Sequence, residues 1–257
     1  MVDELSGFDA FQPYYDIMVN WDARLARESP FLQRAFGSVH ARRVLDCACG
    51  TGHHACLFAR WNLETCASDI SPLMVQKTTH LAGIMNVQLD VRQASFDQLS
   101  RVFDHPFDAA VCVGNSLSAA KSRSVVAAAI REMHQCLRPD GALILQLLNY
   151  DIFTPGQNVY GEPQAREHLG QNYLFLKCWR RAGSTCDMDI VLLQSGPGEG
   201  WTRTVFRERL LVLDRHTLAE MVEQAGFGNT KFYGGYDMTP FDPKQSRDLI
   251  IVARRLS

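Results

Sequence analysis

Lysine and arginine never run longer than two in a row in this 257-residue sequence, and the formal net charge is only −2. A nucleic acid backbone therefore meets no basic stripe, which argues against DNA or RNA as a partner. Long hydrophobic runs are missing too. Nothing approaches the roughly 20 apolar residues of a membrane-spanning helix, and the start shows no basic segment followed by an apolar stretch. The expectation is a cytoplasmic protein that handles small molecules. No C-x-x-C spacing occurs among the eight cysteines, so they read as reduced, small core residues, with Cys47, Cys112 and Cys136 inside apolar runs. Cys49, His53, His54 and Cys56 crowd together in sequence but lack metal-ligand spacing, and no metal is expected there. Internal repeats, low-complexity segments and an evident catalytic triad are also lacking.

What is present is the stretch Val44-Leu45-Asp46-Cys47-Ala48-Cys49-Gly50-Thr51-Gly52-His53-His54-Ala55. An apolar strand that runs into a glycine turn and then a helix forms a nucleotide cradle. Gly50 and Gly52 remove side chains where the backbone turns sharply and a ligand lies against the main chain. Asp46, at the end of the strand, would repel a pyrophosphate and attract a cationic or donor-rich ligand. A dinucleotide is therefore disfavoured.

Length and pattern fit one large α/β domain. Strands are predicted over 43–49, 64–68, 86–92, 107–113 and 142–148, with helices from 53 to about 61, 71 to about 83, and 122 to 137. Ser71 is expected to cap the helix that Pro72 opens, and Arg138-Pro139-Asp140-Gly141 to form a turn. This alternation means a doubly wound parallel sheet. From 151 to 213 the chain changes character: polar and apolar residues alternate around the turn Gly196-Pro197-Gly198-Glu199-Gly200. About 60 residues there far exceed a usual connection of roughly 2–6. Residues 151–213 therefore read as an inserted antiparallel segment over the substrate, and residues 1–40 as a helical lid. In the latter, Phe11, Tyr15, Met18, Trp21 and Leu25 share one helical face across 8–26. Residues 41–150 form the cofactor-binding core, and 214–257, with a helix over 216–224 and strands near 231–236 and 249–254, complete the sheet.

Asp69 ends the second strand 17 residues after Gly52. It is placed to accept hydrogen bonds from two ribose hydroxyls, or else it caps a helix. Val113-Gly114-Asn115-Ser116 follows the fourth strand at the mouth of the pocket, and its backbone is expected to matter more than its side chains.

The glycine-turn motif resembles the first motif of the class I S-adenosylmethionine-dependent methyltransferases. Gly114-Asn115-Ser116, Arg138-Pro139-Asp140-Gly141, Asn149-Tyr150-Asp151 and Phe232-Tyr233-Gly234-Gly235-Tyr236 extend the likeness towards the glycine and sarcosine N-methyltransferases. The resemblance implies a seven-stranded, mostly parallel Rossmann-like sheet with a last antiparallel strand, and an antiparallel β insertion after strand five. It implies S-adenosyl-L-methionine as cofactor, held by Arg24, Asp46, Ala48, Cys49, Gly50, Gly52, Asp69, Ile70, Ser95, Phe96, Val113, Gly114 and Asn115. Arg24 stands in register with an arginine that clamps the cofactor carboxylate in such enzymes; a solvated surface arginine is the other reading. Ser95 and Phe96 stand where related enzymes approach the adenine, with simple core packing as the alternative for Phe96.

Methyl transfer from a sulfonium is an in-line displacement that asks for alignment and exclusion of water more than for acid–base groups. A small-molecule acceptor is expected, with an amine nitrogen first and oxygen, sulfur or carbon second. Tyr15, Tyr150 and Tyr236 are the candidate residues to hold it. Leu148 stands where the glycine-methylating enzymes carry an arginine for the substrate carboxylate. Either Arg203, Arg207 or Arg209 supplies that cation or the acceptor has no carboxylate. Three rivals stand beside this reading. One is a nicotinamide-dependent oxidoreductase, since Gly50 to Ala55 also satisfies G-x-G-x-x-A; another is a non-catalytic S-adenosylmethionine binder; the third is an arsenic methyltransferase using Cys178 and Cys186. Association is open between a monomer and a homodimer.

Overall fold

The computed structural model describes residues 3–6, 8–103, 106–198 and 200–256. In chain order the elements begin β1 (Asp3–Ser6), α1 (Phe8–Met18), α2 (Trp21–Gly37), β2 (Arg43–Cys47), α3 (His53–Arg60), β3 (Glu64–Asp69) and α4 (Pro72–Ile84). They continue with β4 (Asp90–Gln93), α5 (Leu99–Val102), β5 (Phe107–Cys112), α6 (Arg123–Cys136) and β6 (Leu137–Leu148). Then come β7 (Asn158–Tyr160), β8 (Gln164–His168), β9 (Gln171–Ala182), β10 (Thr185–Ser195) and β11 (Thr202–Leu211), followed by α7 (Arg215–Gln224), β12 (Phe227–Tyr233) and β13 (Asp248–Arg255). The chain divides into two compact units, Met1–Arg24 with Phe153–Val212, and Leu25–Ile152 with Leu213–Ser257. The division falls inside α2, not near residue 40.

The larger unit holds a seven-stranded sheet in the order β12-β13-β6-β5-β2-β3-β4. β4, β3, β2, β5 and β6 are parallel, and β13 enters antiparallel between β6 and β12. Its central strands are buried on both faces, as continuous apolar runs require. Val44, Val111, Ile144 and Ile250 pack on Phe31, Leu32 and Phe36 of α2 and Phe58 of α3. Because the crossovers are helical, the carboxyl ends of β2, β3, β4 and β5 all open on one edge, where open α/β sheets place their ligands.

The smaller unit is a six-stranded sheet in the order β1-β11-β10-β9-β7, with β8 also paired to β9. It is antiparallel except for β1, which runs parallel to β11. Cys186, Met188, Ile190 and Leu192 alternate into the buried face of β10. Phe11 of α1 seats its ring against Phe175 and Phe206 at centroid distances of 6.1 and 5.1 Å.

Several local expectations are corrected. The helical face expected over 8–26 is two helices, broken where the Asn20 side chain accepts from Ala23 N at 3.1 Å and caps α2. Ser71 makes no side-chain cap on α4; Asp69 Oδ1 instead accepts from Ser71 N at 3.0 Å. The strand expected over 86–92 is β4, which is mostly exposed and, among the described residues, pairs with β3 alone. Arg138 to Gly141 lie within β6, next to a register shift against β5 between Phe107 and Ala109. There Asp140 takes φ 62°, so the irregularity expected as a turn is absorbed into the ladder.

Candidate functional site

The carboxyl end of β2 turns through three residues with left-handed backbone: Ala48 at φ 60°, Gly50 at φ 58° and Gly52 at φ 89°. Two of the three are glycines, which adopt this region without the cost a side chain incurs. The two glycines are required for different reasons. At Gly50 a Cβ would meet nothing within 4 Å, so the turn borders open space on that side. At Gly52 a Cβ would stand 2.6 Å from Thr78 Cγ2 and 2.9 Å from Thr78 Cα, so α4 occupies the volume that any other residue would need. Thr78, fully buried, also donates from Oγ1 to Gly50 O at 2.8 Å and lies 3.5 Å from Cys49 Sγ.

Asp69, at the end of β3, ties two loops together. Its Oδ2 accepts from Gly50 N at 2.9 Å and its Oδ1 from Ser71 N. A carboxylate offers about four acceptor sites in all, so capping and ligand binding are not alternatives for this residue. The next loop is knitted to it: Ala94 N donates to Asp69 O at 3.0 Å and Gln93 Nε2 to Ile70 O at 3.1 Å. Ile70 is 66% exposed beside the edge, and Ser95 and Phe96 follow half-buried. Gly114 at φ 79° and Asn115 at φ 67° turn the chain after β5, with Val113 buried behind them.

The methyltransferase domain family matches residues 44–141, which hold the glycine turn and Asp69. Among curated relatives, the glycine/sarcosine N-methyltransferase of Aphanothece halophytica is 29% identical over 168 residues, 61% of this chain and 63% of that one. The glycine N-methyltransferase of Rattus norvegicus is 24% identical over 228 residues, 79% and 75% of the two chains. The solved sugar N-methyltransferase from Streptoalloteichus sp. superposes with a TM-score of 0.76 at 20% identity, covering 98% of this chain and 93% of that one. Over residues 44–141 the chain carries a methyltransferase domain of the class I S-adenosylmethionine-dependent kind. It spans less than two thirds of the length of the Aphanothece enzyme.

S-adenosylmethionine is the cofactor of this methyltransferase domain, and the loop geometry suits it. The open side of Gly50, the carboxylate of Asp69 and the apolar Ile70 offer a backbone surface, an acceptor for hydroxyls and a hydrophobic cover. Asp46, 2% exposed at the end of β2, adds negative charge behind the turn. That charge is felt by the neighbouring thiols: burial first, then Asp46, pushes Cys49 well up and Cys56 to about 11. Both thiols therefore stay protonated at neutral pH and act as apolar packing.

Within the larger unit, the structure brings Asp46, Ala48, Cys49, Gly50, Gly52, Asp69 and Ile70 together, with Ser95 and Phe96 one loop away. Arg24 belongs to the smaller unit, where its guanidinium lies 5.0 Å over the Trp21 ring. Tyr15 is in that unit too, edge-on to Phe11 and Trp21. Tyr150, 1% exposed, has its hydroxyl 2.9 Å from Asn115 Nδ2. Tyr236 is buried in the apolar cluster, its ring edge on Phe31 at 5.6 Å and Arg27 at 5.8 Å over its face. Of the arginines considered for an acceptor carboxylate, Arg207 and Arg209 are engaged, with Asp189 at 2.9 Å and Asp187 at 2.8 Å.

Beside the backbone, which was expected to matter more than the side chains after β5, the side chain of Asn115 has a structural part of its own. Its Oδ1 accepts from Leu148 N at 3.0 Å and from Ser118 Oγ at 3.1 Å, beside its contact with Tyr150. Sequence reasoning also missed Gln146, which accepts from Gly114 N through Oε1 at 2.7 Å and donates to Asp248 Oδ1 at 2.8 Å. A glutamine inside the apolar run of a doubly buried strand was its signal. Burial raises the Asp248 carboxyl, against the lowering effect of Gln146 and two arginines. Another missed group is Glu28 on α2: Oε2 sits 2.7 Å from His54 Nε2 in the first turn of α3, and Oε1 accepts from Arg27 at 3.0 Å. Glu28 is 1% and His54 5% exposed. This buried pair fixes α2 to the helix that leaves the glycine turn, and only the oddity of a histidine at a core position pointed to it.

Proposed function

We propose that this methyltransferase transfers a methyl group from S-adenosylmethionine to the nitrogen of a small amine. The observation that carries the donor half is the junction of Gly50 N with the Asp69 carboxylate beside an open glycine. The amine half is supported by the N-methyltransferase names of the relatives. S-adenosylmethionine, when bound, supplies a methyl group on a sulfonium already activated for displacement.

In this reading Asp69 accepts from the ribose hydroxyls, Ile70 and Phe96 cover the adenine with Ser95 at its edge, and the loop Val113-Gly114-Asn115 borders the methionyl part. Asp46, Ala48, Cys49 and Gly52 shape the floor, and Arg24 clamps the carboxylate, a role that rests on the resemblance. The acceptor binds as a neutral amine, attacks in line, and the product ammonium gives its proton to water. Tyr15, Tyr150 and Tyr236 are the proposed holders of that amine. Leu148 stands in place of the arginine of the glycine-methylating enzymes, and Arg207 and Arg209 are already paired, so the choice narrows to Arg203 as the cation for an acceptor carboxylate or an amine without a carboxylate at that position.

Incubation with methyl-labelled donor and a metabolite extract tests this. The expected result is S-adenosylhomocysteine plus a labelled amine found by mass spectrometry. Label on oxygen, sulfur or carbon overturns the acceptor assignment; donor binding with no product from any extract overturns transfer itself. Tyr236→Phe with unchanged turnover and acceptor affinity would remove that hydroxyl.

A further inference from the structure

A cavity of about 500 Å³ opens in the larger unit away from the glycine turn, lined by Asp151, Asp214, Arg215, His216, Phe232 and Phe241 among others. It lies on the flank of the sheet formed by β12, β13 and the end of β6, whereas the donor loops follow β2, β3, β4 and β5. Its volume is within the roughly 300–1,000 Å³ of small-molecule sites.

Hydrogen bonds hold the walls together. Asn149 Nδ2 donates to Pro243 O at 3.1 Å and Ser246 O at 2.8 Å, holding the β12–β13 connection against the end of β6. Asp214 Oδ1 accepts from Thr217 N at 2.8 Å, so the first turn of α7 is capped and its carboxylate is set in place. The guanidinium of Arg215 lies 4.6 Å over the Phe232 ring. Among the described residues no carboxylate stands within ion-pair distance of it, although His216 beside it is 3.4 Å from Glu220. An arginine steadied on an aromatic face and left without a carboxylate presents its fork of donors to an anion. Asp151 and Asp214 bring the opposite charge to the same lining, and Phe232, Phe241, Ala219 and Pro243 bring apolar surface to it.

We infer that this cavity is a second small-molecule site, for a zwitterion with an aromatic or apolar body: its anionic group on Arg215, its ammonium on Asp151, its body between Phe232 and Phe241. A simple anion would face the two aspartates and a simple amine would face Arg215. The mixed lining fits a ligand with both charges.

Isothermal titration of the full chain with three probes tests this: L-phenylalanine, 3-phenylpropanoate, which lacks the ammonium, and 2-phenylethylamine, which lacks the carboxylate. L-Phenylalanine is expected to bind about tenfold more tightly than either single-charge probe. Arg215→Gln should weaken L-phenylalanine and 3-phenylpropanoate about tenfold and leave 2-phenylethylamine unchanged, and Asp151→Asn should weaken the two amines instead. S-adenosylhomocysteine affinity, measured on the same samples, is expected to stay at the parent value in both variants, which shows that they are folded. Absence of heat from all three probes up to about 10 mM, or affinities indifferent to both substitutions, overturns the inference.

Discussion

The two units handle charge in opposite ways. In the smaller one, Asp187 and Asp189 of β10 stand opposite Arg209 and Arg207 of β11, an exposed ladder on the face away from Cys186, Met188 and Ile190. In the larger one, Glu28, His54, Asp46 and Gln146 are all less than a tenth exposed, and those with described bonds tie loops and helices to the donor edge. Charge in the first sheet keeps one face wet; polar groups in the second decide where backbone goes. A surface pair contributes little because water competes for it, whereas a buried pair is costly to break because nothing replaces the lost partner.

That contrast can be broken by substitution, and the largest effect is expected at the turn itself. Gly52→Val would force a branched side chain into a φ of 89° and onto the α4 backbone at Thr78. The expected loss is about 3–5 kcal/mol of unfolding free energy, with S-adenosylhomocysteine binding abolished, as read by thermal melting and titration. Glu28→Ala comes next: loss of the partner of His54 and Arg27 should cost about 2–4 kcal/mol in chemical denaturation. A smaller, pH-dependent loss is expected at Asp108. Burial pushes its carboxyl up, but the Arg138 guanidinium and the amides of Arg42 and Arg43 outweigh this and hold it below the usual range. A carboxyl held low stabilises above its unfolded pKa of about 3.9 and loses that contribution as pH falls below it. Asp108→Asn should therefore be about 1–2 kcal/mol less stable at pH 7, and the gap to the parent should close in acid. The smallest effect belongs to the ladder: Arg207→Gln with Arg209→Gln should cost less than about 1 kcal/mol and fade further in high salt. If the ladder variant proves as damaging as Glu28→Ala, the contrast between the units is wrong.

The same contrast explains what the sequence could tell. The glycine turn was legible because a left-handed backbone next to a buried threonine admits almost no residue but glycine, so the constraint is written in residue type. Asp69 and the parallel strands were legible for similar reasons: doubly buried strands read as unbroken apolar runs, and acidic residues at their ends stand out. The edge strand β4 was misplaced because an exposed strand has no such run. Asn20 rather than a continuous helix, and Asp69 rather than Ser71 as the acceptor at α4, were hidden because several residue types compete for each cap and only tertiary geometry chooses between them. The insertion was legible as alternation alone. Nothing in its pattern gives the parallel pairing of β1 with β11, since pairing between segments 200 residues apart leaves no local trace. Glu28 with His54, and Gln146 with Gly114, are contacts across 26 and 32 residues that composition and spacing do not encode.

Gln146 has a consequence for the order in which the protein is made. Its side chain holds Gly114 N on one side and Asp248 on the other, and Asp248 opens the last strand, β13. A ribosome delivers the glycine turn, Asp69 and the loop after β5 long before it delivers that strand. Until β13 inserts between β6 and β12, the amide that holds Gly114 has its other hand empty and β6 has an open edge. The donor edge is written early in the chain and set last, so a nascent chain stopped before Asp248 carries the whole binding motif without the clasp that steadies it.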